Sequence, residues 1–112
     1  FTMIDAIRNG ADGIISVAAN AFPSIMSDAY LSLLWEEEKN KPNLVELLPK
    51  VDKSKFTLND FFNLIFEEGN PAGIKFALKC LNLCSDKVRL PLTEISNDLK
   101  LKISDFMSKT KV

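Results

Sequence analysis

Residues 10–20 read Gly-Ala-Asp-Gly-Ile-Ile-Ser-Val-Ala-Ala-Asn (GADGIISVAAN), and how they fold decides the architecture. At their centre Ile14-Ile15-Ser16-Val17 is a short, largely β-branched apolar run introduced by Gly13, the pattern of a parallel strand buried on both faces. So short a run also fits a piece of buried helix, but Gly13 and the β-branching favour strand. A lone strand over Gly13 to Val17 leaves several main-chain groups without partners, each costing about 1–3 kcal/mol when buried. The whole net stability of a domain is only about 5–15 kcal/mol. No second strand pattern follows anywhere in the sequence. The run therefore asks for neighbours from a longer parent chain or from another copy of itself, and we expect the former. A first residue of Phe1 rather than Met suits that expectation.

On either side of the run the patterns are helical. Thr2-Met-Ile-Asp5 resembles a capping box with Asp in place of Glu, opening a short helix whose buried side is Met3, Ile4 and Ile7. Gly10 supplies a left-handed stop. Pro23 suits the first turn of a second helix, with Ile25, Met26, Ala29, Tyr30, Leu33 and Leu34 as its stripe and an end near Glu36-Glu37-Glu38. Helix, strand and helix make an α/β unit over residues 1–38. Residues 39–112 read as a helical subdomain. Asn43 to Leu48 is a short capped turn of helix, and Val51 to Lys55 is a polar linker. Thr57 and Asp60 open a helix carrying Leu58, Phe61, Phe62, Ile65 and Phe66 inward, and Gly69 closes it. Asn70-Pro71 caps the next, with Ile74, Ala77, Leu78 and Leu81 on one face. Pro91 keeps "KVRLPLTEIS" extended, and Ser96 caps a last helix with Leu99, Ile103, Phe106 and Met107 inside.

Composition narrows the function. A net charge of -1, with lysines and acids interspersed, argues against a nucleic-acid surface or a polybasic membrane patch. No apolar run approaches the roughly 20 residues that span a bilayer. There is no histidine, so Cys80 and Cys84, the only cysteines, cannot join a common Cys/His zinc set. We read them as two small core residues on one helical face in a reducing, cytoplasmic compartment. Ser16 has no histidine to activate it. Lys75 and Lys79, one helical turn apart, read as a charged face. Tyr30 reads as core, Arg89 as a structural donor to carbonyls, Asn70 as a helix cap, and Asp98 with Glu36 to Glu38 as solvated acids. Asn20 either lines a pocket or shapes its own loop.

Three blocks carry a family resemblance. "GADGIISVAAN" resembles the eighth strand and following loop of the dihydrodipicolinate synthase (4-hydroxy-tetrahydrodipicolinate synthase) family. "NPAGIKFALKCLNL" resembles that family's Asn-Pro segment and helix, and "VRLPLTEIS" its Arg-Leu-Pro connector. They occur in the family's order, and the likeness reaches nearly the whole chain. Residues 36–57 depart from the usual helix there. The resemblance implies an α/β parent, a (β/α)8 TIM barrel. This chain would be its final helix-strand-helix portion plus a mostly α C-terminal subdomain. It also implies a homotetrameric lyase without cofactor, which condenses pyruvate with aspartate semialdehyde through a lysine Schiff base on the way to lysine.

Barrel sites lie at the C-terminal ends of the strands, which puts Ser16 to Asn20 at the mouth. By the same likeness Ile15 offers its main-chain carbonyl to pyruvate. The catalytic lysine belongs to an earlier strand, so no catalytic residue is expected in this chain and the chain alone is expected to be inactive. Two other readings compete. One is a different pyruvate-dependent aldolase of the superfamily, such as an N-acetylneuraminate lyase-like enzyme. The other is an independent helical interaction module that uses the 13–17 edge to add a strand to a partner.

Overall fold

In the computed structural model, residues 2–39 and 58–110 are described. The chain divides into two compact units, Phe1–Lys50 and Val51–Val112. The expected helical turn at 43–48 and the linker at 51–55 lie outside the described residues.

In the first unit, α1 (Thr2–Arg8) is followed by a 3-10 turn (Val17–Asn20) and by α2 (Pro23–Lys39). Helix α1 stops as predicted. Gly10 takes φ 89°, its N–H reaches the Ile7 carbonyl at 2.9 Å and the Ala11 N–H reaches that of Ala6 at 3.1 Å, a paired C-terminal motif that satisfies two orphan carbonyls. Pro23 opens α2. Both α1 and the 3-10 turn pack on α2, burying Met3, Ile7, Ala18, Ala21, Phe22, Met26 and Ala29.

The strand is the main correction. Residues 13–16 are non-helical, and Ser16 is fully extended at φ -121°, ψ 131°, but no β-ladder forms among the described residues. Val17, expected to end the strand, instead begins the 3-10 turn, in which the Ala19 N–H reaches the Ser16 carbonyl at 3.2 Å. Burial on both faces fails as well, since Ile15 is fully exposed. The cause is the one that makes sheets cooperative: a strand takes its hydrogen bonds from a neighbour, and no described segment supplies one. Sequence dictates extension locally and cannot complete it.

In the second unit, α3 (Leu58–Phe66), α4 (Ala72–Cys80) and α5 (Asn97–Lys109) pack pairwise. Phe61, Ile65, Ile74, Phe76, Ala77, Leu99, Ile103, Phe106 and Met107 form the core, and the Phe61 and Phe106 rings stack at 5.4 Å. Helix α4 lies so close to α3 that a Cβ on Gly73 would come within 2.8 Å of the Ile65 Cα.

Four expectations change here. Phe66 is 47% exposed, because Phe62 and Phe66 sit on the shoulder of the stripe centred on Phe61 and Ile65. Asn70 does not cap α4: Pro71 holds the N-cap position, which leaves the Asn70 side chain one residue too far out. Leu81, placed on the inward helical face, lies past the helix end and is half-buried. Cys84 is exposed rather than core. Helix α4 ends at Cys80, where Asn82 takes φ 59°, its N–H reaches the Lys79 carbonyl at 2.9 Å, and Leu83 reaches Leu78 at 3.0 Å. No helix among the described residues is long and apolar enough to cross a membrane.

Candidate functional site

The unpaired run borders a cleft of about 350 Å³ in the first unit. Its walls are Asp12, Gly13, Ile14, Ser16 and Ala19 on one side and Pro23, Met26, Ser27 and Tyr30 of α2 on the other. Ile14 and Ser16 line it and Ile15 does not. Successive side chains of an extended chain point to opposite faces, so α2 covers the 14/16 face while Ile15 stands on the bare one. Among the described residues, no main-chain N–H from Gly13 to Ser16 donates a hydrogen bond. One face is covered, and the other face and the main-chain donors are open.

Helix α2 holds this arrangement through Tyr30, whose hydroxyl donates to the Asp12 carbonyl at 2.8 Å. Tyr30, expected in the core, is only half-buried and lines the cleft, because its polar tip reaches a main-chain carbonyl at the rim. The Asn20 amide donates to the Val17 carbonyl at 3.0 Å and so shapes its own loop, and Asn20 does not line this cleft. Ser16 is half-buried in the wall. The side chains of Glu36 to Glu38 are outside the described ones. Among the described residues no group of three potential ligands is arranged for a metal ion.

In the second unit the predicted charged face exists, and it is organised by a residue that sequence reasoning missed. Asp86 is only 8% exposed. Its Oδ1 accepts from Lys79 Nζ at 2.9 Å, and its Oδ2 lies 3.6 Å from Lys100 Nζ. The hydrogen bond from Lys79 holds the Asp86 carboxyl below its ordinary value, and burial opposes this. Lys100 donates to Glu94 at 2.8 Å, a bond that raises its ammonium above the usual lysine value. Lys75 Nζ donates to the Lys87 carbonyl.

Arg89 is exposed. Its carbonyl accepts from Leu92 N–H at 3.0 Å, and no side-chain hydrogen bond of its own is found among the described residues, contrary to the expected structural donor. Asp98 is exposed in the first turn of α5, as expected. Cys80 Sγ lies 3.9 Å from Ser104 Oγ, and both thiols are free.

Ser96 caps α5 as predicted, accepting from Leu99 N–H at 3.2 Å. Glu68 accepts from the Ser96 hydroxyl and from its main-chain N–H, the latter at 2.7 Å, and these bonds lower the Glu68 carboxyl below its ordinary value. Among the described residues, neither unit brings together a nucleophile and a base.

The dihydrodipicolinate synthetase family model matches residues 1–110. The chain belongs to this family. It is 39% identical over 97 residues to the 4-hydroxy-tetrahydrodipicolinate synthase of Karelsulcia muelleri (strain GWSS), an alignment covering 87% of this chain and 29% of that protein. It is 32% identical over 100 residues to the enzyme of the same name from Cytophaga hutchinsonii, covering 89% and 30%. With that of Archaeoglobus fulgidus it is 29% identical over 112 residues, covering 100% and 35%. The chain thus spans about a third of the length of the family members it matches.

Proposed function

We propose that these residues are the C-terminal part of a 4-hydroxy-tetrahydrodipicolinate synthase, a (β/α)8 barrel that condenses pyruvate with L-aspartate 4-semialdehyde through a lysine Schiff base. In this reading residues 1–38 are the barrel's last α/β unit and 39–112 its C-terminal helical subdomain. The parent is a cytoplasmic homotetramer that needs no cofactor. The observation that carries the reading is the half-dressed run at 13–16, with one face packed on its own helix and the other face and donors bare. A barrel strand requires that pattern, covered outside by a helix and closed by strands on both sides. The family match and the names of the relatives support the chemistry of this reading.

The chain's part is to build one wall of the pocket. The main-chain carbonyl of Ile15 is offered to the bound keto acid, and Ala18 and Ala19, small side chains beyond the run, leave the mouth open. The Schiff-base lysine lies on an earlier strand of the parent. Lys75, Lys79 and Lys100 serve structure: each is bound to a carbonyl or carboxylate of the second unit, and a Schiff-base lysine needs a dry site or a nearby cation to lower its pKa.

Incubating the 112-residue chain with pyruvate and borohydride should leave its mass unchanged. The parent read from the upstream coding sequence should gain one pyruvyl adduct on a barrel lysine. An adduct on any lysine of the short chain, or none on the parent, overturns the proposal.

A further inference from the structure

Asp86 and Glu94 stand at the two ends of one loop of the second unit, and the same ammonium meets both. Lys100 Nζ is 2.8 Å from Glu94 Oε2 and 3.6 Å from Asp86 Oδ2. That Oδ2 is buried and has no hydrogen-bond partner among the described residues, and its ion pair with Lys100 uses the same ammonium that binds Glu94. Lys79 holds the other Asp86 oxygen from α4. Lys100 and Lys79 also lie 5.7 and 5.8 Å from the centre of the buried Phe76 ring, within cation–π range. The ring steers both ammoniums to this spot. Between the two anchored ends the chain turns over at Arg89 to Leu92, and Leu90 at its tip is 90% exposed.

We propose that Lys100 is the clasp of the 86–94 loop, a single ammonium on α5 that ties both ends of the loop to the helical core and so holds the exposed Arg89–Leu92 turn in one shape. An ion pair at each end separately would leave the ends free to move against each other, whereas one cation shared between them couples their positions. A tip shaped in advance gives up less conformational freedom when another surface closes over it.

The chain carries its own reporter. Its only arginines are Arg8 and Arg89, so an arginine-specific protease cuts once inside the loop and once in the first unit. In the full chain, Lys100→Met should speed cleavage at Arg89 by about two- to fivefold, the range one exposed ion pair allows, and leave Arg8 unchanged. Lys102→Met removes the neighbouring pair with Glu67 and should leave both sites unchanged. Glu94→Gln, which frees one end while keeping Lys100, should reproduce part of the acceleration. Combined with Lys100→Met it should add nothing. An unchanged Arg89 rate in Lys100→Met, an equal rise in Lys102→Met, or additive effects of the two clasp substitutions would overturn the proposal.

Discussion

Ile103 and Ile15 are the same residue with opposite fates: the first is completely buried in the second unit and the second is fully exposed in the first. Residue type does not separate them, since both are isoleucines of an apolar pattern, Ile103 in the stripe of α5 and Ile15 in the 14–17 run. What separates them is where the partners come from. A helix satisfies its main chain within itself, so three short helices need only bring their stripes together to enclose Ile103. An extended run must borrow hydrogen bonds from a neighbouring strand, and its second face must be covered from elsewhere. The second unit carries its own completion. The Ile14–Ser16 run states a conformation that no described residue of this chain completes.

Truncation breaks this contrast most directly. Phe61→Ala removes a ring that is wholly buried and stacked on Phe106, and about 3–5 kcal/mol of stability should go with it, read as loss of exchange protection across α3 and α5. Ile15→Ala in the same chain should stay within about 0.5 kcal/mol, since an exposed side chain has little to lose. If Ile15→Ala costs more than about 1 kcal/mol, the run is covered in solution and the contrast falls.

Amide exchange sharpens it without any substitution. The Ile14 and Ile15 amides should exchange near the rate of a free chain, and those of Leu99 to Phe106 about a thousandfold slower or more, given a few kcal/mol of net stability in the second unit. Concentration-dependent protection of Ile14 and Ile15 would mean that copies of the run pair with one another.

How legible each region was follows the same line. The last helix could be read in full: Ser96 caps it and Leu99, Ile103, Phe106 and Met107 are all inside, because capping and periodicity are local. The stops at Gly10 and at Gly69, which takes φ 104° with its N–H on the Phe66 carbonyl at 3.2 Å, were legible for the same reason. Asp86 was not, because its partners lie on two different helices and nothing near it in sequence marks them. The end of α4 was overlooked because Asn, not Gly, takes the left-handed position at 82, and Cys84 was misplaced as a result. In the run itself, the alternation that separates Ile15 from Ile14 and Ser16 is a period-2 property of the sequence. Which face α2 would cover is not, and reading the run as buried on both faces overstated what this chain can bury.

A smaller effect tests how closely the helices of the second unit meet. Gly73→Ala drives a methyl against the main chain of Ile65, where no side chain can swing away, and overpacking of this kind costs about 1–3 kcal/mol. Thermal unfolding followed through α3 and α4 should show the loss. Glycine and alanine behaving alike there would mean that the helices sit farther apart than described.

The smallest effect is electrostatic and depends on pH. The Ser96 hydroxyl and N–H stabilise the charged form of Glu68, so its folded value lies below the ordinary 4.5. A carboxyl lowered on folding adds stability that is fully present above its unfolded value and is lost as pH falls through the folded one. Asp86, lowered from 3.8 mainly by Lys79, acts in the same sense at still lower pH. Acidification below about 4.5 should therefore weaken the second unit, and because Glu68 is exposed and the Lys79 that pairs with Asp86 is half-exposed, the loss should be modest and vary with salt. Glu68→Gln cannot release a proton, so its stability curve should run flatter than that of the original chain between that pH and the point where Asp86 titrates. Parallel curves would show that the contact joining the end of α3 to the start of α5 contributes no charge-dependent stability, leaving Ser96 to act through its ordinary cap on Leu99 alone.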